Sequence, residues 1–224
     1  NSVHDNHNFH IIENAFYQLM PILLKIASLS QSEVCDSDSN EPSVQAVQTL
    51  NIILSKYIDI SRSILESFIT DFESSESFGE REAVLSCVFL LLHHLDDEDI
   101  SEEDTREYFR LIKNGLSDEI PRVRQNAVYC GQAFCDKFQS DTNESVEIMQ
   151  DLIMKIVEDE IVSVNAAFVV GNFFTIDNYP FFEESMLALV ELSSSLNLEY
   201  SETAFNSLSQ FVDNADINDL QKLL

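Results

Sequence analysis

The chain has 224 residues, with 12 Lys or Arg against 40 Asp or Glu, a formal charge of −28. Four Gly and four Pro fall far below the roughly 12% of an average protein, which disfavours β-sandwiches, β-barrels and doubly wound folds, because hairpins and phosphate loops draw on both residues. The charge excludes nucleic acid and anionic membrane as direct partners, while 45% apolar and 10% aromatic residues are too many for a disordered acidic tail.

Helical periodicity predicts helices near 10–29, 43–58, 60–74, 79–95, 102–115, 120–138, 143–158, 160–175, 180–195, 199–212 and 216–224. In the first, Pro21 predicts a break near Met20. Ser30–Glu41 is polar and reads as a long loop, followed by Pro42 at a helix start; Pro121 and Pro180 hold the same position later. Ala83–Leu92 is the longest nearly apolar run, about half of what spans a bilayer. Between Asn143 and Val157 the apolar residues Val146, Met149, Leu152, Ile153, Ile156 and Val157 recur at three and four, and Glu144, Glu147, Asp151, Lys155 and Glu158 take the opposite side. Cys87, Cys130 and Cys135 lie inside apolar helical patterns and read as free buried thiols. The first residue is not Met, no basic segment leads an apolar leader, and the helix from Asp216 stops short at Leu224. An excised or processed piece is therefore expected.

The helices repeat in pairs that open near 43, 79, 120, 160 and 199, a spacing of 36 to 41 residues. A fixed period of that size predicts an all-α solenoid, an α-α superhelix of about five hairpins. The hairpins fall near 43–74, 79–115, 119–158, 160–195 and 199–224, after an incomplete repeat over 1–29, and are expected to form one domain over 1–224. Two openings share letters: Asn126-Ala127 and Asn165-Ala166 are offset by 39 positions. A small Ala followed by an aromatic allows close helix approach and then fills the next gap.

These residues carry a resemblance. Asn165-Ala166-Ala167-Phe168-Val169-Val170-Gly171 matches the Asn-Ala-Ala-aromatic-x-x-Gly pattern of HEAT repeats in the importin-β (karyopherin) superfamily. Glu119–Tyr129 resembles the preceding repeat, with Gly131 one residue early, and Leu189–Phe211 is similar to the region that follows in large importins that carry ribosomal proteins and histones. The resemblance implies a non-enzymatic HEAT-repeat segment of a nuclear transport receptor, in cytoplasm and nucleus, without cofactor. In that family the second helix of each hairpin lines a concave face that wraps basic cargo or nuclear-localisation peptides. Here those helices are 102–115, 143–158 and 180–195. Their acids Glu103, Glu107, Glu144, Glu147, Asp151, Glu158, Glu184 and Glu191 are the implied cargo contacts, beside Arg110. Exposed aromatics among Phe168, Phe173, Phe174, Phe181 and Phe182 would receive Phe-Gly peptides of the nuclear pore, although core packing is the simpler reading of these rings. Ran-GTP is bound in that family mainly by N-terminal repeats.

The run Asp96–Asp104 has seven acids in nine positions. It reads either as a solvated loop whose last acids favour the following helix start, or as a cargo contact through Asp96, Asp97 and Asp99. A metal reading is weaker: counted from Asp97, the sixth position of a calcium loop needs Gly and is Glu102. His93 and His94 are adjacent on a helix and point about 100° apart, unsuited to one ion. Arg122 and Arg124 read as rungs of an ion-pair ladder between stacked hairpins, or as contacts to an acidic partner. No catalytic constellation or phosphate loop is legible. The alternative to transport is a HEAT scaffold of a phosphatase or chromosome-associated complex, which would bind through apolar ridges; a divalent-ion enzyme built on Asp96–Asp104 ranks below both.

Overall fold

Among residues 2–30, 41–139, 141–176 and 179–214, which the computed structural model describes, the chain forms nine α-helices and no strand. The expected helix 216–224 and most of the expected loop after Ser30 lie outside the described residues. The chain divides into two compact units, Asn1–Ser101 and Glu102–Leu224. The expected pair 79–115 has one helix in each.

The first unit holds α1 (Ser2–Ala27), α2 (Pro42–Phe72) and α3 (Phe78–His94), then a 3-10 turn at Asp97–Asp99. Each of the three helices packs on the other two. Pro21 does not break α1, which runs through it. The ring and the residue whose carbonyl it frees, Tyr17, both lie on the exposed side, where water can take the lost hydrogen bond. Two helices were expected over 43–58 and 60–74; the break falls instead at Tyr57, whose φ of −142° and ψ of 39° divide α2 into two helical segments. The Tyr57 ring packs on Phe16, centroids 4.6 Å apart. In α3, Ala83–Val88 and Leu90–Leu92 are all buried. A helix apolar on every side belongs in a core, so the most apolar run of the sequence is spent on packing. No described helix is long and apolar enough to cross a membrane. Close packing also fixes Gly79: a Cβ there would collide with the Ser28 carbonyl oxygen at the end of α1.

The second unit contains α4 (Glu102–Leu116), α5 (Pro121–Phe138), α6 (Asn143–Glu158), α7 (Ser163–Phe173), α8 (Phe182–Ser193) and α9 (Leu198–Asn214). Its packing is two-layered. One layer runs α5, α7, α9 and the other α4, α6, α8; helices also pack across layers, α4 on α5, α5 on α6, α6 on α7 and α8 on α9. Pro121 occupies the first turn of α5, where a missing N–H breaks no helical bond. The Thr142 hydroxyl caps α6 by accepting from the Ser145 N–H at 3.1 Å. The link from α7 to α8 is held by rings: Phe173 and Phe174 meet Tyr179 and Phe182, with centroids 5.8 to 6.0 Å apart.

Candidate functional site: the outward side of α4, α6 and α8

The burial pattern of α4 recurs in α6 and α8. In α4 the buried residues are Tyr108, Leu111, Ile112, Gly115 and Leu116. Thirty-seven positions later Ser145, Ile148, Met149, Leu152 and Ile153 of α6 are buried. Forty positions beyond the first four of those, Ser185, Ala188, Leu189 and Leu192 are the buried residues of α8. Side chains with equal burial phase on neighbouring parallel-numbered turns hold equivalent positions. Glu107, Glu144 and Glu184 therefore form one row, Arg110, Glu147 and Leu187 a second, and Asn114, Asp151 and Glu191 a third.

The rows differ from a uniform acidic stripe. Lys113 of α4 donates to Glu147 at 2.8 Å and lies 2.5 Å from Asp151, so these two acids of α6 are held by the chain's own lysine. Partial burial pulls the Lys113 ammonium down, and the hydrogen bonds and charges of Asp151 and Glu147 outweigh it, leaving its pKa raised. Sequence reading placed Glu147 and Asp151 among the acids but missed Lys113, which a hairpin offset of 37 aligns with Gln150, between the two acids. Glu103, Glu158, Glu184 and Glu191 are exposed, and Glu107 and Glu144 are half-buried. Glu103, Glu144 and Glu184 also stand in the first turns of their helices, where the helix dipole favours a carboxylate. From Ile156 to Gln221 the sequence has no Lys or Arg, so α8 and α9 carry acids alone and α7 carries no charged side chain.

The opposite layer is joined by polar links between successive hairpins. Arg124 at the start of α5 grips Asp159, just past α6, through Nε at 2.6 Å and Nη2 at 3.3 Å. Its Nη1 donates to the carbonyls of Asp118 and Glu119 at 2.8 and 3.0 Å. This is the ladder rung expected of Arg124, with both side chains nearly enclosed; Arg122 is buried within α5. Asn165, the first letter of the Asn-Ala-Ala pattern, donates to the Tyr129 hydroxyl at 2.7 Å, and Ser207 donates to the Ala167 carbonyl at 2.9 Å. The glycines serve different contacts. A Cβ on Gly171 would come within 2.8 Å of Ser207 on α9, whereas one on Gly131 would meet Ile148 and Leu152 of α6. One residue is about 100° of helix, so coming one residue early turns Gly131 toward the other layer.

The five candidate aromatics separate. Phe173 is fully buried, and Phe174, Phe181 and Phe182 are half-buried in the ring cluster. Phe168 corrects the core reading: it is half exposed. Phe205 of α9, which the sequence did not single out, is exposed as well. It lies 37 positions on from Phe168, the same offset that separates the buried pairs Ala167 and Val170 from Ala204 and Ser207.

In the first unit, Asp96, Asp97 and Asp99 are exposed around the 3-10 turn, which is tied down where Arg62 donates to the Asp99 carbonyl at 2.9 Å and Ile100 is buried. His94 donates from Nε2 to Asn51 Oδ1 at 2.7 Å; burial, then the neighbouring His93 charge, lowers its pKa. Among the described residues no group of three or more His, Cys, Asp or Glu is arranged to hold a metal ion. Sequence reading also missed a groove of about 590 Å³ among α1, the second segment of α2 and the start of α3, lined by Leu24, Lys25, Ile64, Phe68, Phe72 and Glu80. Its residues come from three helices that share no sequence motif. No protein-family model matches the chain, and no curated protein is significantly similar to it.

Proposed function

We propose that this chain is a non-enzymatic, HEAT-type protein-binding module whose outward α6 and α8 acids receive a Lys/Arg-rich partner, as a segment of a nuclear transport receptor would. The observation that carries the reading is the complete lack of bases from Ile156 to Gln221 beside the exposed Glu158, Glu184 and Glu191. A surface of one sign draws an oppositely charged partner and rejects like-charged ones. The 36-to-41-residue hairpin spacing and the repeated burial phase support a stacked-hairpin architecture. The resemblance of Asn165–Gly171 to importin repeats supports the transport assignment.

The test is fluorescence anisotropy of a labelled nuclear-localisation peptide with the full chain across a salt series. Micromolar or tighter binding that weakens steeply with salt is expected, and charge reversal of Glu144, Glu184 and Glu191 to Lys removes most of it. Salt-independent binding, or none at low salt, refutes the reading. A second reading, a HEAT scaffold docking partners through apolar ridges, is favoured by exposed Phe168 and Phe205, which would equally serve Phe-Gly peptides. Capture that survives high salt and is lost in the Phe168→Ala, Phe205→Ala double variant selects it.

A further inference from the structure

The pair Glu147 and Asp151 already demonstrates how this surface holds an ammonium, because Lys113 sits between them at 2.8 and 2.5 Å. The lysine belongs to one helix and its acids to the next helix of the layer. At the following step, from α6 to α8, the equivalent positions are Gln150 for Lys113, Leu187 for Glu147 and Glu191 for Asp151. Gln150, Leu187 and Glu191 are all exposed, Leu187 at 71%. The internal lysine is thus replaced by a neutral side chain just where an acid is kept and an apolar side chain is added.

We infer that the α6–α8 step is a lysine subsite for a partner segment: the incoming ammonium pairs with Glu191, as Lys113 pairs with Asp151 one step earlier, and its methylene stem lies over Leu187. Lysine suits this place because its stem covers apolar surface while its head stays solvated, and Leu187 replaces the second carboxylate. The flanking charge is complementary, since α8 has Glu183, Glu184 and Glu191 and no base. Lys113 acts as an internal competitor that closes the preceding step to the same partner. The inference rests on the basic-partner reading above and specifies one contact within it.

The experiment titrates the full 224-residue chain into a fluorescein-labelled octalysine peptide. Gln150→Lys places an internal lysine at the second step and is expected to weaken binding about threefold, the scale of one exposed ion pair. Gln48→Lys, on an exposed position of α2, adds the same charge elsewhere and sets the effect of net charge alone. Glu191→Gln weakens binding by a similar factor, and combining it with Gln150→Lys adds little. Lys113→Met frees Glu147 and Asp151 and tightens binding about threefold, with its fold checked by circular dichroism. If Gln150→Lys matches Gln48→Lys, or if its effect multiplies with that of Glu191→Gln, the subsite is wrong while basic-partner binding stands. If the wild-type chain leaves octalysine unbound, both fall.

Discussion

Replacing Arg124 by Met tests whether the second unit is held at its hairpin joints by charge as well as by apolar packing. Arg124 and Asp159 side chains are 14% and 11% exposed, so solvent screening is slight. A hydrogen bond to a charged group contributes about 1.5–3 kcal/mol, and Arg124 makes two to Asp159 and two to carbonyls that end the α4–α5 connection. These bonds share one side chain and do not add fully, so Arg124→Met is expected to lower stability by about 2–4 kcal/mol. Asp159→Asn alone costs about 1.5–3 kcal/mol, and the double variant recovers a coupling of about 1.5–3 kcal/mol. Urea unfolding followed by circular dichroism measures the cycle. The pH dependence gives a second readout. Burial pushes the Asp159 carboxyl up, but the Arg124 hydrogen bond and charge, with Lys155 and the Ile161 N–H, hold it below the usual carboxylate range. A depressed carboxyl stabilises the fold fully above its unfolded value, near 3.9, and that contribution disappears as pH falls through the lower folded value. Wild type should lose this increment on acidification, and Arg124→Met, which keeps only Lys155 and the Ile161 N–H beside Asp159, should lose less of it. A coupling under about 0.5 kcal/mol, within the scatter of independent sites, would refute the reasoning.

Two further variants probe packing. Phe173→Ala is expected to cost about 3–5 kcal/mol by emptying a fully buried site, and Phe168→Ala, half exposed, less than about 1 kcal/mol; thermal melts of both separate core from surface on one helix. Gly171→Ala drives a methyl to within 2.8 Å of Ser207 and should destabilise by about 1–3 kcal/mol despite the better helix propensity of Ala. Chemical denaturation that shows Gly171→Ala to be stabilising would mean α9 is free to retreat.

Helices were legible wherever one face of the sequence is apolar. Residues 143–158 were expected helical and α6 has those bounds, because its apolar period of three and four is long and uninterrupted. Two local signals misled. Pro21 carries the letter of a breaker, yet on an exposed helical face its missing hydrogen bond is replaced by water. Near residue 59 no Gly or Pro marks the bend that Tyr57 makes, and φ and ψ of a single residue leave no compositional trace. The acids of the candidate surface were legible as a charge pattern, but their pairing was not. Lys113 reaches Glu147 across 34 positions, and that distance closes only once the burial phase of α4 has been aligned with that of α6. Phe168 was misread for a related reason: the aromatic after Ala-Ala follows the letters of a packing motif, while its exposure depends on what else covers α7.

The buried thiols give each unit its own clock. Cys87 lies in α3 of the first unit, and Cys130 and Cys135 lie in α5 of the second, all as thiols outside any disulfide and all fully enclosed. Burial raises the pKa of Cys87 and of Cys135, so at neutral pH both thiols are protonated as well as shielded, and alkylation must wait for an opening that admits solvent. Peptide-resolved labelling rates would then time the opening of residues 1–101 and of 102–224 separately, in the unaltered chain. Equal rates for α3 and α5 would mean that the two units unfold as one event; unequal rates would identify which gives way first when a partner, salt or acid is added.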